Sequence, residues 1–280
     1  MCVTALIVNW NTRDCLLALL ASLREAGPLQ TVVVDNASAD GSVEAVGAAY
    51  PDIMVLALGE NLGYAEANNL AACCATGDYL LFLNPDTILP PGAPAELARF
   101  LDEHPKAALA APRLVLPDGS TQASVRGMPT PRALLSAWLG LDRLFPRNPA
   151  LGGYRMRWFD YSTAQPAPQP MASAWMVRRA AWEAIGPFDP SFPLFWNDVD
   201  WCLRAQQAGW ETWYTPEPAV RHEGGASTRQ VKKRATLESH RALVTFYRKY
   251  YRPRLGPVAF ALCRALIMLV GHLRALRSRT

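Results

Sequence analysis

A mostly parallel α/β sheet flanked by helices is the fold class that this sequence predicts, on three observations. Short continuous apolar runs recur at Val3–Val8, Thr31–Val34, Ile53–Leu58 and Tyr79–Leu83. Segments with helical spacing or helix-start residues lie between them, and that alternation is the mark of βαβ units. Half of the 280 residues are hydrophobic and 19% are charged. Such a chain has ample core and is not disordered, and its glycine and cysteine are too sparse for a collagen or disulfide scaffold.

The elements follow in order. Val3–Val8 (VTALIV) reads as a buried strand ending at Asn9-Trp10-Asn11. Thr12 can cap a helix to about Ala26, with Leu16, Leu19, Leu20 and Leu23 at helical spacing and Gly27-Pro28 as its stop. Thr31–Val34 is the next strand and closes on Asp35. Ser42 can cap a short helix to about Tyr50, which Pro51 breaks. Ile53–Leu58 is the third strand, followed by the loop Gly59–Gly63 and a helix of small residues from about Tyr64 to Thr76. Tyr79–Leu83 is the fourth strand and runs into Asn84-Pro85-Asp86, and a helix is expected around Pro94–Glu103.

Residues 112–170 hold nine prolines, so loops near a substrate are expected there, with one helix near Ala133–Leu144. Regular structure resumes with Met171–Val177, a helix over Arg178–Ile185 and a loop over Gly186–Leu194. A helix from about Asn197 to Ala208 follows, closed by Gly209. Glu211–Tyr214 reads as a strand, Arg221-His222 as another strand end, and Arg234–Tyr250 as a basic helix.

The net charge of +4 hides an asymmetry. Residues 1–220 carry 14 Lys/Arg and 22 Asp/Glu, a net −8, and residues 221–280 carry 14 and 2, a net +12. A basic tail on an acidic body suggests an anionic surface as partner. No nucleic-acid-binding module is recognisable, so nucleic acid is not expected. Cys2, Cys15, Cys73, Cys74, Cys202 and Cys263 form no CxxC pair, which fits reduced packing residues of a cytoplasmic protein. Met1 leads straight into a strand-like run, without the cationic start or cleavage site of a signal peptide.

In sheets of this kind ligands bind beyond the carboxyl ends of the strands, where Asp35 and Asp86 stand. No P-loop, dinucleotide fingerprint, HExxH or GxSxG is present. A phosphorylated ligand there would need another source of positive charge, such as a divalent cation on Asp86, unless Asp86 merely caps its turn. Asp35 can accept hydrogen bonds from a base or ribose, or belong to an ordinary turn. Asp198 and Asp200 lie about 200° apart on a helix and cannot share a pocket. Asp200 can pair with Arg204 at i,i+4. Asp198 is then either a general base or a first-turn residue favoured by the helix dipole. Among the histidines, His222 alone sits at a strand end.

Together these segments resemble the family 2 glycosyltransferases with a GT-A fold, in particular their bacterial rhamnosyltransferase-like branch. The resemblance is carried by LIVNWNT (Leu6–Thr12), VVVDNASADGS (Val32–Ser42), ENLGYAEANN (Glu60–Asn69), LLFLNPDT (Leu80–Thr87), the segment Ala172–Trp210 and RHEGGAS (Arg221–Ser227). It covers about residues 3–250. It implies a nucleotide-sugar-binding half over 1–111, an acceptor-binding half over 112–250 and a separate tail helix over 251–280. Asp35 is carried to the nucleotide base, and Asn68, Asn69 and Gly63 to its surroundings. Asn9, Trp196 and Asn197 join the substrate-binding set. Asn84 is carried to the ribose or sugar, Asp86 to a Mg²⁺ or Mn²⁺ ion and the diphosphate, and His222 to that metal.

Asp198 matches the family's catalytic base, in a pair that reads Asn197-Asp198 here. The implied reaction inverts a sugar from a dTDP- or UDP-sugar onto a hydroxyl of a glycan or polyprenyl-linked acceptor, in cell-surface polysaccharide synthesis. The departures at Asn84 and Asn197 leave an inactive nucleotide-sugar-binding protein as the alternative. Trp175, Phe195, Trp196 and Trp201 are candidates for the acceptor side, with Trp175 and Trp201 equally readable as core. Val258–Leu273 holds one charge, Arg264, and would span about 24 Å as a helix, short of a hydrocarbon core of roughly 30 Å. Flanked by Arg252, Arg254, Arg274, Arg277 and Arg279, residues 253–280 read as a peripheral anchor at the inner face of the membrane, or as a helix packed on protein.

Overall fold

The computed structural model describes residues 2–224 and 231–277. Residues 225–227 of the RHEGGAS motif and Arg279 lie outside the described residues. The first half alternates as the sequence predicts: β1 (Val3–Asn9), α1 (Arg13–Ala26), β2 (Gln30–Asp35), α2 (Ser42–Ala49), β3 (Met54–Ala57), α3 (Gly63–Cys73) and β4 (Tyr79–Leu83). Next come β5 (Thr87–Ile88), α4 (Ala93–Glu103), β6 (Ala107–Val115), β7 (Val125–Arg126), α5 (Pro131–Trp138), α6 (Leu141–Leu144), α7 (Pro149–Gly152), β8 (Gln165–Pro166) and β9 (Gln169–Pro170). The chain closes with β10 (Ala174–Arg178), α8 (Arg179–Ile185), α9 (Asn197–Gln207), β11 (Glu211–His222), α10 (Lys232–Tyr250) and α11 (Arg252–Arg277).

One central sheet runs β3-β2-β1-β4-β10-β6-β11-β5, with β8 paired to β11. The pairs among β1 to β4 and the β6–β11 pair are parallel, while β10 runs antiparallel between β4 and β6. Alternation within β1 fills two cores. Ala5 and Ile7 face Leu16, Leu19, Leu20 and Leu23 of α1, with Leu97 and Leu101 of α4. Leu6 and Val8 face the alanines of α3 and, further along, Trp182 and Trp201 of α8 and α9. A sheet covered on both faces tolerates such unbroken apolar strands.

Three expectations change. β6 is a buried central strand that the sequence reading passed over, because Ala107, Ala108, Ala110, Ala111 and Pro112 carry little strand propensity. The helix expected over Ala133–Leu144 is two, broken at Gly140, whose φ of 75° suits glycine. Glu211–Tyr214 and Arg221-His222 belong to one strand, β11, whose register against β6 shifts between Thr215 and Ala219.

α10 and α11 form a layer of their own. Leu243, Phe246 and Tyr247 of α10 pack with Ile267 of α11, Val199 of α9 and Leu134 of α5. α11 is interrupted at Gly256 (φ 73°, ψ 170°), and Pro257 opens its long stretch. Residues 257–277 span about 30 Å at 1.5 Å per residue, so the helix outlasts the apolar run that the sequence marks. One face is committed to protein, with Ile267 and Ala275 buried and Gly271 seated on His240. The opposite face exposes Val258, Leu262, Leu266, Leu269, Leu273 and Leu276, spaced by three and four residues. By length and composition alone the helix could cross a membrane.

Candidate active site

Parallel pairing places the ends of β1 and β2 side by side, with Asn9 opposite Asp35. Both are buried. The Asn9 side-chain NH₂ donates to Asp35 Oδ2 at 2.8 Å and to Ser38 Oγ at 3.1 Å, while its Oδ1 accepts from Thr12 Oγ1 at 2.6 Å. Asp35 Oδ1 accepts the Ser38 backbone N–H at 2.8 Å. Asn9 therefore acts on Asp35, fixing its carboxylate at the strand end. Asn36, which the sequence reading passed over, ties this loop to the next: it accepts from Leu62 N at 2.9 Å and donates to Gly63 O at 3.0 Å.

Gly63 opens α3 at φ 84°, and a Cβ there would lie 2.6 Å from Pro193 O. The residue lets two loops touch, a close approach that only glycine permits. Asn68 is buried and donates to Tyr64 O at 2.9 Å, and its Oδ1 has no partner among the described residues. Asn69 is placed differently, since both groups of its amide bind the Phe188 backbone, at 2.8 and 2.9 Å.

The same edge continues through β4 and β10. Because β10 is antiparallel, Ala174 stands opposite Leu83 and Ser173 comes level with Asn84. Asn84 N donates to Ser173 O at 2.9 Å, and its side chain to Ser173 Oγ at 3.2 Å. β5 pairs Thr87 with His222, which sets the neighbouring Asp86 against the histidine. His222 Nε2 lies 3.4 Å from Asp86 Oδ1, both side chains buried. Gln122 Oε1 accepts from His222 Nδ1 at 2.7 Å, which turns Nε2 toward Asp86, and among the described residues Nε2 has no hydrogen-bond partner in its buried setting. A buried imidazole nitrogen beside a carboxylate oxygen fits two ligands of a divalent cation, oriented from behind by Gln122. Among the described residues no third His, Cys, Asp or Glu completes a cage. Such a cation would depend on substrate oxygens for the rest of its shell.

Asp198 enters from the other side. Its Oδ1 accepts Val199 N at 2.9 Å and its Oδ2 faces the Gln169 amide at 3.4 Å. Burial pushes its carboxyl above the ordinary value of 3.8, against lowering hydrogen bonds from Val199, Ala172 and Gln169. Ala172 also accepts the Tyr64 hydroxyl at 2.9 Å. The short segment 172–173 therefore touches Asp198 at one residue and Asn84 at the next, and joins the base candidate to the Asp86–His222 pair.

The start of α9 is strained. Trp196 has φ 72°, ψ 0°, a conformation rare for a bulky residue and concentrated at functional sites. Its indole N–H donates to Ser239 O at 2.8 Å, which holds it to α10. Asn197 is buried and donates to Phe192 O at 3.3 Å. Asp200 points away from Asp198, as helical geometry requires, and is a fully buried hub. It pairs with Arg204 at 2.8 Å and Lys249 at 2.6 Å, and accepts from the Tyr250 hydroxyl at 2.7 Å. Trp175 and Trp201 have no exposed surface. They are core, which leaves Phe195 and Trp196 as the remaining aromatic candidates of that set.

The comparisons with known proteins agree with one another. The family model described as Glycosyl transferase family 2 matches residues 4–159. Over 219 residues the chain is 32% identical to N-acetylglucosaminyl-diphospho-decaprenol L-rhamnosyltransferase of Mycobacterium tuberculosis, covering 74% of this chain and 70% of that one. In fold it is similar to the mannosyltransferase PcManGT from Pyrobaculum calidifontis, solved with GDP-Man and Mn²⁺. That match has a TM-score of 0.58 at 18% identity and covers 99% of this chain and 76% of the other. It is also similar to GalNAc-T7, solved with UDP, GalNAc and Mn²⁺, at a TM-score of 0.59 and 14% identity, over 79% of this chain and 44% of that chain.

Proposed function

This chain belongs to glycosyl transferase family 2, and from that premise we propose that it moves L-rhamnose or a related sugar from a dTDP- or UDP-sugar to a hydroxyl of a polyprenyl-linked saccharide. The observation that carries the reading is the continuous edge from Asp35 through Asn84 and Asp86–His222 to Asp198, joined by residues 172–173. In this reading that edge carries a nucleotide-binding carboxylate, a diphosphate site and a recessed base. The similar rhamnosyltransferase, whose name specifies a diphospho-decaprenol-linked N-acetylglucosamine, supports the acceptor class.

In this reading Asp35 accepts hydrogen bonds from the base, held ready by Asn9 and Ser38. Asn68 and Gly63 line the nucleotide, and Asn84 reaches the ribose or sugar. Asp86 and His222 would hold a divalent cation, which supplies positive charge against the leaving diphosphate when bound; the Mn²⁺ in both solved relatives supports this. Asp198 Oδ2 takes the proton of the acceptor hydroxyl as that oxygen attacks the anomeric carbon, and the bond to the nucleoside diphosphate breaks on the opposite face. A single displacement inverts the configuration. A sugar hydroxyl is a weak nucleophile at neutral pH, and a positioned base contributes roughly 10²–10⁴-fold. Trp196 and Asn197, at the start of the same helix, shape the acceptor side. Residues 1–111 serve the donor, 112–250 the acceptor, and 251–280 the membrane surface.

The tail completes the proposal. With one face of α11 packed on α10, the helix lies along a membrane rather than across it. The exposed leucine face, set among cationic residues, fits an anionic lipid surface; this supports a cytoplasmic enzyme docked at the inner membrane face beside a lipid-linked acceptor.

The test is release of nucleoside diphosphate from a panel of dTDP-, UDP- and GDP-sugars with Mg²⁺, Mn²⁺ or EDTA. Turnover of one donor that EDTA abolishes is the expected result. Tight binding without turnover, with prenyl-linked acceptors present, would establish the inactive binding protein instead.

A further inference from the structure

A cavity of about 250 Å³ lies outside the crevice just described, between α5, the Tyr154-Arg155 turn, the middle of α10 and the end of α11. None of Asp35, Asn84, Asp86 or His222 lines it. Three guanidiniums do, from Arg126, Arg155 and Arg274, and no carboxylate does. Asp142, buried behind them, lies 3.5 Å from Arg155 but is shared with Arg157 at 2.9 Å. Arg126 donates only to the carbonyl of its neighbour Val125, at 2.9 Å, among the described residues. Arg274 has no ion pair or hydrogen bond among them.

Three cations converging on one hollow repel one another unless an anion joins them. Burial and the nearby Arg155 charge both act against the charged form of Arg274. Guanidiniums are the preferred partners of phosphate oxygens, which they bind in pairs with fixed geometry.

Two further observations say what kind of anion belongs there. Trp196, two residues before Asp198, forms part of the wall. Tyr154, whose hydroxyl pKa burial pushes up, also lines it, whereas Asp198 itself does not. Leu135 and Leu139, both exposed, stand on and just after α5, whose Leu134, Ala137 and Trp138 line the hollow. An anion held here has Trp196 in its wall and the exposed leucines of the α5 segment beside it.

We propose that Arg126, Arg155 and Arg274 bind the diphosphate of a prenyl-linked acceptor, with the prenyl chain leaving over the exposed Leu135 and Leu139 beside α5. The assignment deepens the acceptor reading above and rests on it for the choice of a lipid diphosphate over a soluble one. The attacking sugar, attached to that diphosphate, would then reach toward Asp198 past Trp196.

The test measures binding of farnesyl diphosphate to the full chain, with the donor site saturated by nucleoside diphosphate and Mn²⁺. Inorganic pyrophosphate and farnesol serve as separate arms. The expected result is farnesyl diphosphate binding that survives saturation, exceeds both arms, and falls at least tenfold in Arg274→Gln and Arg126→Gln. Lys106→Gln, which removes an exposed charge just before β6 at the far end of the sheet, leaves the binding in place. Unchanged thermal midpoints show that the variants fold.

Binding unaffected by either arginine substitution overturns the site, as does binding abolished by nucleoside diphosphate. Pyrophosphate binding as tight as farnesyl diphosphate overturns the lipid assignment. Sugar transfer is a separate readout. A chain that binds farnesyl diphosphate through Arg274 yet turns over no nucleotide sugar upholds this site and refutes the transferase reading. The reverse pattern does the opposite.

Discussion

The donor edge and the C-terminal layer are built on opposite principles. At the donor edge, short polar side chains satisfy one another and the backbone: Asn9 with Asp35 and Ser38, Asn36 with Leu62 and Gly63, Gln122 with His222. Strand ends fix their positions before any ligand arrives, the preorganisation that electrostatic catalysis requires. In the layer of α10, α11 and the segment around Tyr154, Arg126 and Arg274 have no carboxylate partner among the described residues, and one face of α11 is apolar and exposed. On the proposed reading, the difference teaches that donor binding is written into the folded protein, while the acceptor side is completed by its lipid-linked ligand.

The largest effect falls where the two regions meet. Asp198→Asn is expected to lower kcat by roughly 10²–10⁴-fold with little change in the donor KM, checked by steady-state kinetics. The pH profile carries the same signature. Asp198 is active only when ionised, and its pKa is raised above 3.8, so wild-type activity falls as pH drops through a value above the ordinary aspartate range.

Two residues along, Asp200 sharpens the contrast. It is a buried hub with two cations and a tyrosine, and removing one member of such a group costs about 3–5 kcal/mol. Asp200→Ala should therefore lower folding stability in urea titrations by about that amount, which Asp198→Asn should not. Equal losses from the two substitutions would break the distinction.

A smaller effect is expected behind the cation site. Gln122→Leu removes the acceptor that orients His222, and loss of such a support weakens metal affinity by roughly 10–100-fold. Titration of activity against Mn²⁺ reads it directly.

The smallest effect on chemistry belongs to the tail. Leu266→Glu with Leu269→Glu, both exposed, should leave donor turnover unchanged and reduce flotation with anionic vesicles at least tenfold. Each leucine withdrawn from lipid forfeits up to about 2 kcal/mol of apolar burial. Flotation equal to wild type would remove the membrane from the account.

Much of this was legible in the residues. The strand–helix alternation through Leu83, the placement of Asp35 and Asp86 at strand ends, and the opposed directions of Asp198 and Asp200 all follow from periodicity. β6 was hidden because alanine suits a helix better than a strand, and only its burial between β10 and β11 makes it one. Asn36 and Gln122 were hidden because their partners lie 26 and 100 residues away, a distance over which spacing says nothing. Asn69 shows the converse, since a motif position that reads as ligand-facing is occupied by the Phe188 backbone. The arginine hollow draws on residues from Arg126 to Arg274, which only the fold brings together.

The central claim is a single displacement assisted by Asp198. Its most direct test is the anomeric configuration of the transferred sugar, read by NMR on the product formed from whichever nucleotide sugar turns over. The account predicts a configuration opposite to that of the donor. Retention would contradict it, because a single displacement from the face opposite the leaving diphosphate inverts the anomeric carbon.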